Sequence, residues 1–230
     1  MPDNLTDILY TVSIWVLPVL IAITFHEAAH GWVADRLGDD TARRLGRVTF
    51  NPLKHVDRFG TIVLPGLLLL LQAPFLFGYA KPVPVNFGRL RRPKRDMIWV
   101  AAAGPGANIL LALAAGAAFH LTPYFSDSVG VWLADNLSNA VLINVVLAVF
   151  NMLPLPPLDG GRVLTGLLPM PYAQYFARIE RYGMMILIGL LFVLPLIGRQ
   201  LGVDANVLHW LIGPPIEAVF EFVAIVTGNR

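Results

Sequence analysis

The sequence predicts an all-α polytopic membrane protein, and three observations predict it. The 230 residues are 56% hydrophobic and only 14% charged, with a mean hydropathy of +0.65, whereas a soluble domain averages about 25% charged. Apolar runs long enough to span a bilayer recur along the whole chain. The 17 lysines and arginines fall almost entirely into stretches that one arrangement of those runs places on a single face. The expected fold is a single integral-membrane domain over 1–230. It holds about five full transmembrane helices, a re-entrant hairpin and a small β-structured segment near the functional site.

The first residues, Met1-Pro2-Asp3-Asn4, are acidic and lack the basic start and small-residue cleavage site of a signal peptide. The first apolar run, 8–25, is therefore expected to stay in the protein, inside a helix over 5–37 that Gly38 stops. Residues 39–57 are polar and basic, and within them 46–50 alternates in a strand-like way until Asn51-Pro52 closes it. An apolar run over 61–77 follows, interrupted by Pro65-Gly66 and Pro74. Residues 81–86 read as an extended edge segment, because Pro82 and Pro84 deny helix. A basic cluster over 89–95 precedes strong spans at about 97–119, 131–152, 173–196 and 207–226.

The run 61–77 decides the topology. If it crosses, the basic residues divide 7 against 10 between the two faces. If it dips in and returns, all but Arg199 share one face. Positive charge concentrates on the cytoplasmic side, so the second arrangement is favoured. It puts the N-terminus outside and the C-terminus in the cytoplasm. Broken backbone survives in lipid only where protein or water covers it, so the hairpin must pack on the bundle or line a cavity.

The sequence Thr24-Phe25-His26-Glu27-Ala28-Ala29-His30 ends the first run. Positions i and i+4 share a helix face, so His26 and His30 can turn two imidazoles toward one metal ion. Glu27 flanks that site without entering the coordination sphere, and its carboxylate can take a proton from water activated by the metal. Ionisable residues at the end of a membrane helix are costly and mark function. The chain has no cysteine, which excludes a disulfide framework and a thiolate metal site, so any metal must use His and carboxylate ligands.

A second informative stretch follows the 131–152 span: Asn151-Met152-Leu153-Pro154-Leu155-Pro156-Pro157-Leu158-Asp159-Gly160-Gly161-Arg162. Its prolines break the helix and extend the chain. Taken alone, Asp159 reads as the cap of a new short helix. In the re-entrant topology, however, the ends of the first and the 131–152 spans lie on one face, so Asp159 can join His26 and His30. His55 reads as stabilising its loop or lining the entrance, with the structural role preferred, and His120 and His209, at span ends, read as interfacial. Asn108 follows Gly104-Pro105-Gly106 and reads as helix packing. Arg162 is expected to pair with Asp159 or a lipid phosphate.

Together these two segments resemble the site-2 protease family of intramembrane zinc metalloproteases. Asn51-Pro52-Leu53-Lys54-His55 and Gly104-Pro105-Gly106-Ala107-Asn108 also look like family signatures, and the likeness spans roughly residues 14–166. The resemblance implies Zn2+ held by His26, His30 and Asp159, with Glu27 as catalytic base and Asn151 assisting substrate or oxyanion binding. It also implies a minimal form, without PDZ or CBS module, in a prokaryotic inner membrane, its active site toward the cytoplasm. The implied substrate is a transmembrane protein or peptide in the lipid bilayer; the small net charge of +2 gives no sign of nucleic acid. Three protein ligands leave one position for water, as catalytic zinc needs. The strand-like segments 46–50 and 83–86 are expected to pair beside the metal and to capture an unwound substrate as an added strand. The competing function is a membrane metal transporter that uses the same cluster as a transit site, although no repeated halves are visible.

Overall fold

The computed structural model describes residues 5–70, 78–202 and 207–230. Its helices follow the apolar runs: α1 (Leu5–Arg36), the short α2 (Thr41–Arg44), α3 (Leu64–Leu70), α4 (Pro93–Ala118), α5 (Asp127–Asn151), α6 (Asp159–Leu167), α7 (Met170–Ile188), α8 (Leu194–Gln200) and α9 (Val207–Val226). Among the described residues, four stretches are long and apolar enough to cross a membrane: Leu5–Arg36, Pro93–Tyr124, Asp127–Asn151 and Met170–Gly198.

Local chemistry sets the helix ends. Gly38 (φ 115°) closes α1, and the Asp39 N–H donates back to Ala34 O at 2.9 Å, the backward bond that glycine-terminated helices make. Pro93 opens α4 at a position where a missing N–H is harmless. The Asp96 carboxylate accepts the Arg92 N–H at 2.8 Å.

The central helix is α4, which packs against α1, α5, α6 and α9. Several of its buried residues are small: Ala101, Gly104, Ala112, Ala115 and Gly116. Small side chains let helix backbones approach closely where lipid offers no hydrophobic drive to association. Ala112, Val145 and Val223 form the core between α4, α5 and α9. A second cluster, Leu153, Leu158 and Leu187, packs α7 against the turn that follows α5.

Both chain ends lie at the same end of the bundle. Tyr10 OH donates to Asp135 Oδ2 at 2.6 Å and Trp132 Nε1 donates to Ser13 Oγ at 3.0 Å, which sets the start of α1 beside the start of α5. His120 Nε2 donates to Thr227 O at 2.6 Å and Asn229 Nδ2 donates to Gly116 O at 2.7 Å, which sets the C-terminus beside the end of α4. An odd number of crossings would place the start of α1 and the C-terminus at opposite ends, whereas these bonds bring them to the same end. The charge bias weighs one terminal arginine lightly, whereas α9 packs along its length through Ile216, Val219 and Val223. His120 thus anchors the C-terminus. The side chain of His209 lies outside the described residues.

The segments flanking the run 61–77 are joined by hydrogen bonds. Tyr79 N–H donates to Gly60 O at 3.0 Å, Thr61 Oγ1 donates to Tyr79 O at 2.9 Å, and Lys81 N–H donates to His55 O at 2.9 Å. The expected hairpin over 61–77 falls partly on residues 71–77, which lie outside the described residues.

The expected pairing of 46–50 with 83–86 takes another form. Both segments lie on α1, since a Cβ built on Gly31 would meet Val48 Cγ2 and Val83 Cγ1, each at 3.0 Å. No strand forms among the described residues. Pro82 and Pro84 have no N–H to offer, and the neighbouring donors are taken by carboxylates: Val83 N–H by Glu27 Oε2 at 2.7 Å and Asn86 N–H by Asp39 Oδ2 at 2.6 Å. Arg47, itself buried, donates from NH2 to Lys81 O at 2.8 Å and so straps the second segment onto the first.

Candidate metal centre

Helical spacing puts His26 and His30 on the buried face of α1. The break after α5 then returns the chain to meet them. Asp159 is the first residue of α6, and its carboxylate faces the histidines. Gly160 and Gly161 allow this approach: a Cβ on Gly161 would stand 2.7 Å from Pro156 N, and one on Gly160 would strike the carbonyls of Met152 and Leu153.

Three atoms converge. His26 Nε2 and His30 Nε2 are 3.1 Å apart, and Asp159 Oδ2 lies 3.2 Å from the first and 3.3 Å from the second. All three residues are buried. Asn108 Oδ1 lies 2.6 Å from His26 Nδ1, and Val100 O lies 2.7 Å from His30 Nδ1. Both oxygens accept, so each ring carries a proton on Nδ1, and the neutral imidazole then presents a bare lone pair from Nε2. Asp159 Oδ2 is left without a hydrogen-bond partner. Three buried acceptors facing one another repel unless a cation sits among them.

Zinc fits this arrangement. Tetrahedral bonds of about 2.0–2.1 Å separate neighbouring ligand atoms by about 3.3 Å, close to the three separations observed. Two imidazoles and a carboxylate are a donor set that zinc accepts.

Around the donors, Glu27 and Asn151 line one cavity of about 220 Å³ with His26, Gly78, Tyr79 and Ala80. Asn151 Nδ2 donates to Leu147 O at 3.0 Å. Gly104 is the floor of the site: a Cβ there would stand 2.6 Å from His26 Cε1 and would also strike His30 Nε2. Sequence reasoning assigned Gly104 and Asn108 to helix packing. Both do join helices, Asn108 bonding α4 to α1 and α5, and both also touch the histidines, which only their proximity in space reveals. His55 serves its loop, with Nε2 donating to Thr49 O at 3.0 Å. Arg162 bonds to Glu180 at 3.5 Å and stacks over Phe87, 5.6 Å from the ring centroid, rather than pairing with Asp159.

A family model described as Peptidase family M50 matches residues 122–194, which include Asn151 and Asp159. The protein named "Putative zinc metalloprotease YwhC" in Bacillus subtilis (strain 168) is 39% identical over 187 residues, covering 79% of this chain and 80% of its own length. The chain belongs to peptidase family M50. A second relative of this M50 peptidase is "Putative zinc metalloprotease Rip2" of Mycolicibacterium smegmatis, 28% identical over 200 residues that cover 86% of the chain and 74% of the relative. No solved structure matches the M50 peptidase. Membership in this site-2 protease family makes the protein a metalloprotease, and its apolar helices make it an integral membrane protein. The His-His-Asp donor set within that family makes zinc its metal.

Proposed function

We propose that this chain is an intramembrane endopeptidase that cuts transmembrane segments of membrane proteins, with its N-terminus outside the cell and its site toward the cytoplasm. What supports the reading most is that His26, one of three converging donors, lines the same cavity as Glu27 and Asn151. His26, His30 and Asp159 hold the metal. Zinc, when bound, acidifies a water and polarises the scissile carbonyl.

Glu27 is the general base. Its Oε2 is held by the Val83 N–H at 2.7 Å, which leaves Oε1 to take the proton and later to deliver it to the leaving amine. Asn151 spends one Nδ2 hydrogen on Leu147 O. The other can donate to the oxyanion as charge develops there.

A helical substrate protects its peptide bonds and must unwind to be cut. Gly78, Tyr79 and Ala80 line the catalytic cavity and also an adjoining one of about 350 Å³, so an extended segment can run along them.

Glu27→Gln tests the assignment. Proteomics of membrane fractions should show uncut membrane proteins accumulating in Glu27→Gln cells, while the purified variant keeps its zinc. A variant that cleaves as fast as wild type removes Glu27 from the base role. Asn151→Ala should keep zinc and lose roughly 10²-fold or more in turnover.

A further inference from the structure

Two asparagines are buried in the middle of the helix bundle: Asn108 of α4 is fully buried, and Asn144 of α5 nearly so. Amides at such positions are expensive unless every hydrogen bond is made. Theirs are made in a fixed order. Asn108 Nδ2 donates to Ala22 O at 3.2 Å and to Asn144 Oδ1 at 2.7 Å, and Asn144 Nδ2 donates to Ala140 O at 2.8 Å.

Backbone carbonyls only accept. Ala140 O therefore fixes which way the Asn144 amide points, and its oxygen must face Asn108. Ala22 O and Asn144 Oδ1 together hold the nitrogen of Asn108, so its oxygen must face His26. That oxygen stands 2.6 Å from His26 Nδ1. The proton of His26 is thereby assigned to Nδ1, and its Nε2 is left as a donor atom aimed at His30 and Asp159. His30 needs no such device, because its Nδ1 meets the carbonyl of Val100 directly.

We propose that Asn108 and Asn144 form a positioning relay that fixes the tautomer and orientation of His26 and so sets the zinc affinity of the site. The inference rests on His26 being a zinc ligand. Outer partners of ligating histidines are worth about 10–100-fold in metal affinity. An amide is the fitting group here, since it supplies both the acceptor for His26 and the donors that hold it in place. Asn144 reaches the metal only through Asn108, so its effect vanishes when Asn108 is gone.

The test is zinc affinity of the purified full chain, measured by competition with a chelator. Asn108→Leu should weaken zinc by about 10–100-fold, and Asn144→Leu should weaken it less. The double variant Asn108→Leu/Asn144→Leu should bind zinc no more weakly than Asn108→Leu alone. It also removes both polar partners together, which leaves no orphaned amide and keeps the bundle folded. Nitrogen-15 spectra of histidine-labelled wild type should show the His26 proton on Nδ1. Losses that add in the double variant, or Asn108→Leu with wild-type affinity, overturn the relay. His26→Ala with undiminished affinity overturns the metal-site assignment itself, and the relay with it.

Discussion

Replacing Gly104 by alanine sets two effects against each other. Within a helix, alanine is favoured over glycine by about 1 kcal/mol, so propensity alone predicts a more stable protein. The added methyl, however, would stand 2.6 Å from both Cε1 and Nε2 of His26, where ordinary contact begins at 3.4 Å. The ring must therefore retreat by at least about 0.8 Å, and His30 is struck as well. Without metal the rings can swing aside and the helix keeps its gain. With metal they are held, and a misplacement of about 1 Å at a reacting centre can cost about 10²-fold in rate. A 100-fold loss in zinc affinity would remove about 2.7 kcal/mol of zinc-linked stabilisation. Melting curves with and without buffered zinc, run beside a cleavage assay, separate the two effects. Gly104→Ala should match or exceed wild type without zinc, gain far less on adding zinc, and turn over about 10²-fold more slowly. Wild-type zinc stabilisation together with turnover within about twofold of wild type would refute the steric argument and the placement of both histidines at the metal.

Two further predictions concern the loops and the topology. Burial pushes the Asp39 carboxyl up, but hydrogen bonds from the Thr41 side chain and from the Asn86 and Thr41 N–H groups, with the charge of Arg89, hold it below its ordinary value near 3.8. Its folded pKa is depressed, so the stability it contributes is complete above the unfolded value and is lost as pH falls through the folded one. Melting of wild type against Asp39→Asn should differ clearly at pH 7 and converge in strong acid; a gap that does not change with pH would mean that the carboxylate's charge is irrelevant. In this cysteine-free chain, Thr41→Cys and Gly88→Cys should react with an impermeant maleimide only after permeabilisation, and Arg230→Cys should react in intact cells. Labelling of all three from one side would contradict the packing of α9.

The site was legible where spacing along one helix carries the chemistry. His26 and His30 share a face by helical period alone, and Glu27 follows from adjacency. Asp159 needed a topological argument, because nothing local separates a ligand from a helix cap. Asn108 was not legible: an asparagine in an apolar helix has the same sequence whether it touches another helix or a histidine 82 residues away. The spans were legible from their apolar runs. The small sheet was not, because alternation marks a strand only when backbone donors are free to pair, and here two prolines lack them and two carboxylates claim those of Val83 and Asn86. The end of α9 depends on close packing by Val219 and Val223, which outweighs the charge of the final arginine.

Pinning the excursion between Gly60 and Tyr79 at its base has an evolutionary consequence. Once the two ends are joined, the length between them is nearly free to vary, since doubling a closed loop costs only about 0.6 kcal/mol. The stem keeps Tyr79 and Ala80 against the catalytic cavity however long the excursion is. Insertions there can diversify what approaches the enzyme while the chemistry beneath stays untouched, so this is where sister proteins should differ most in size.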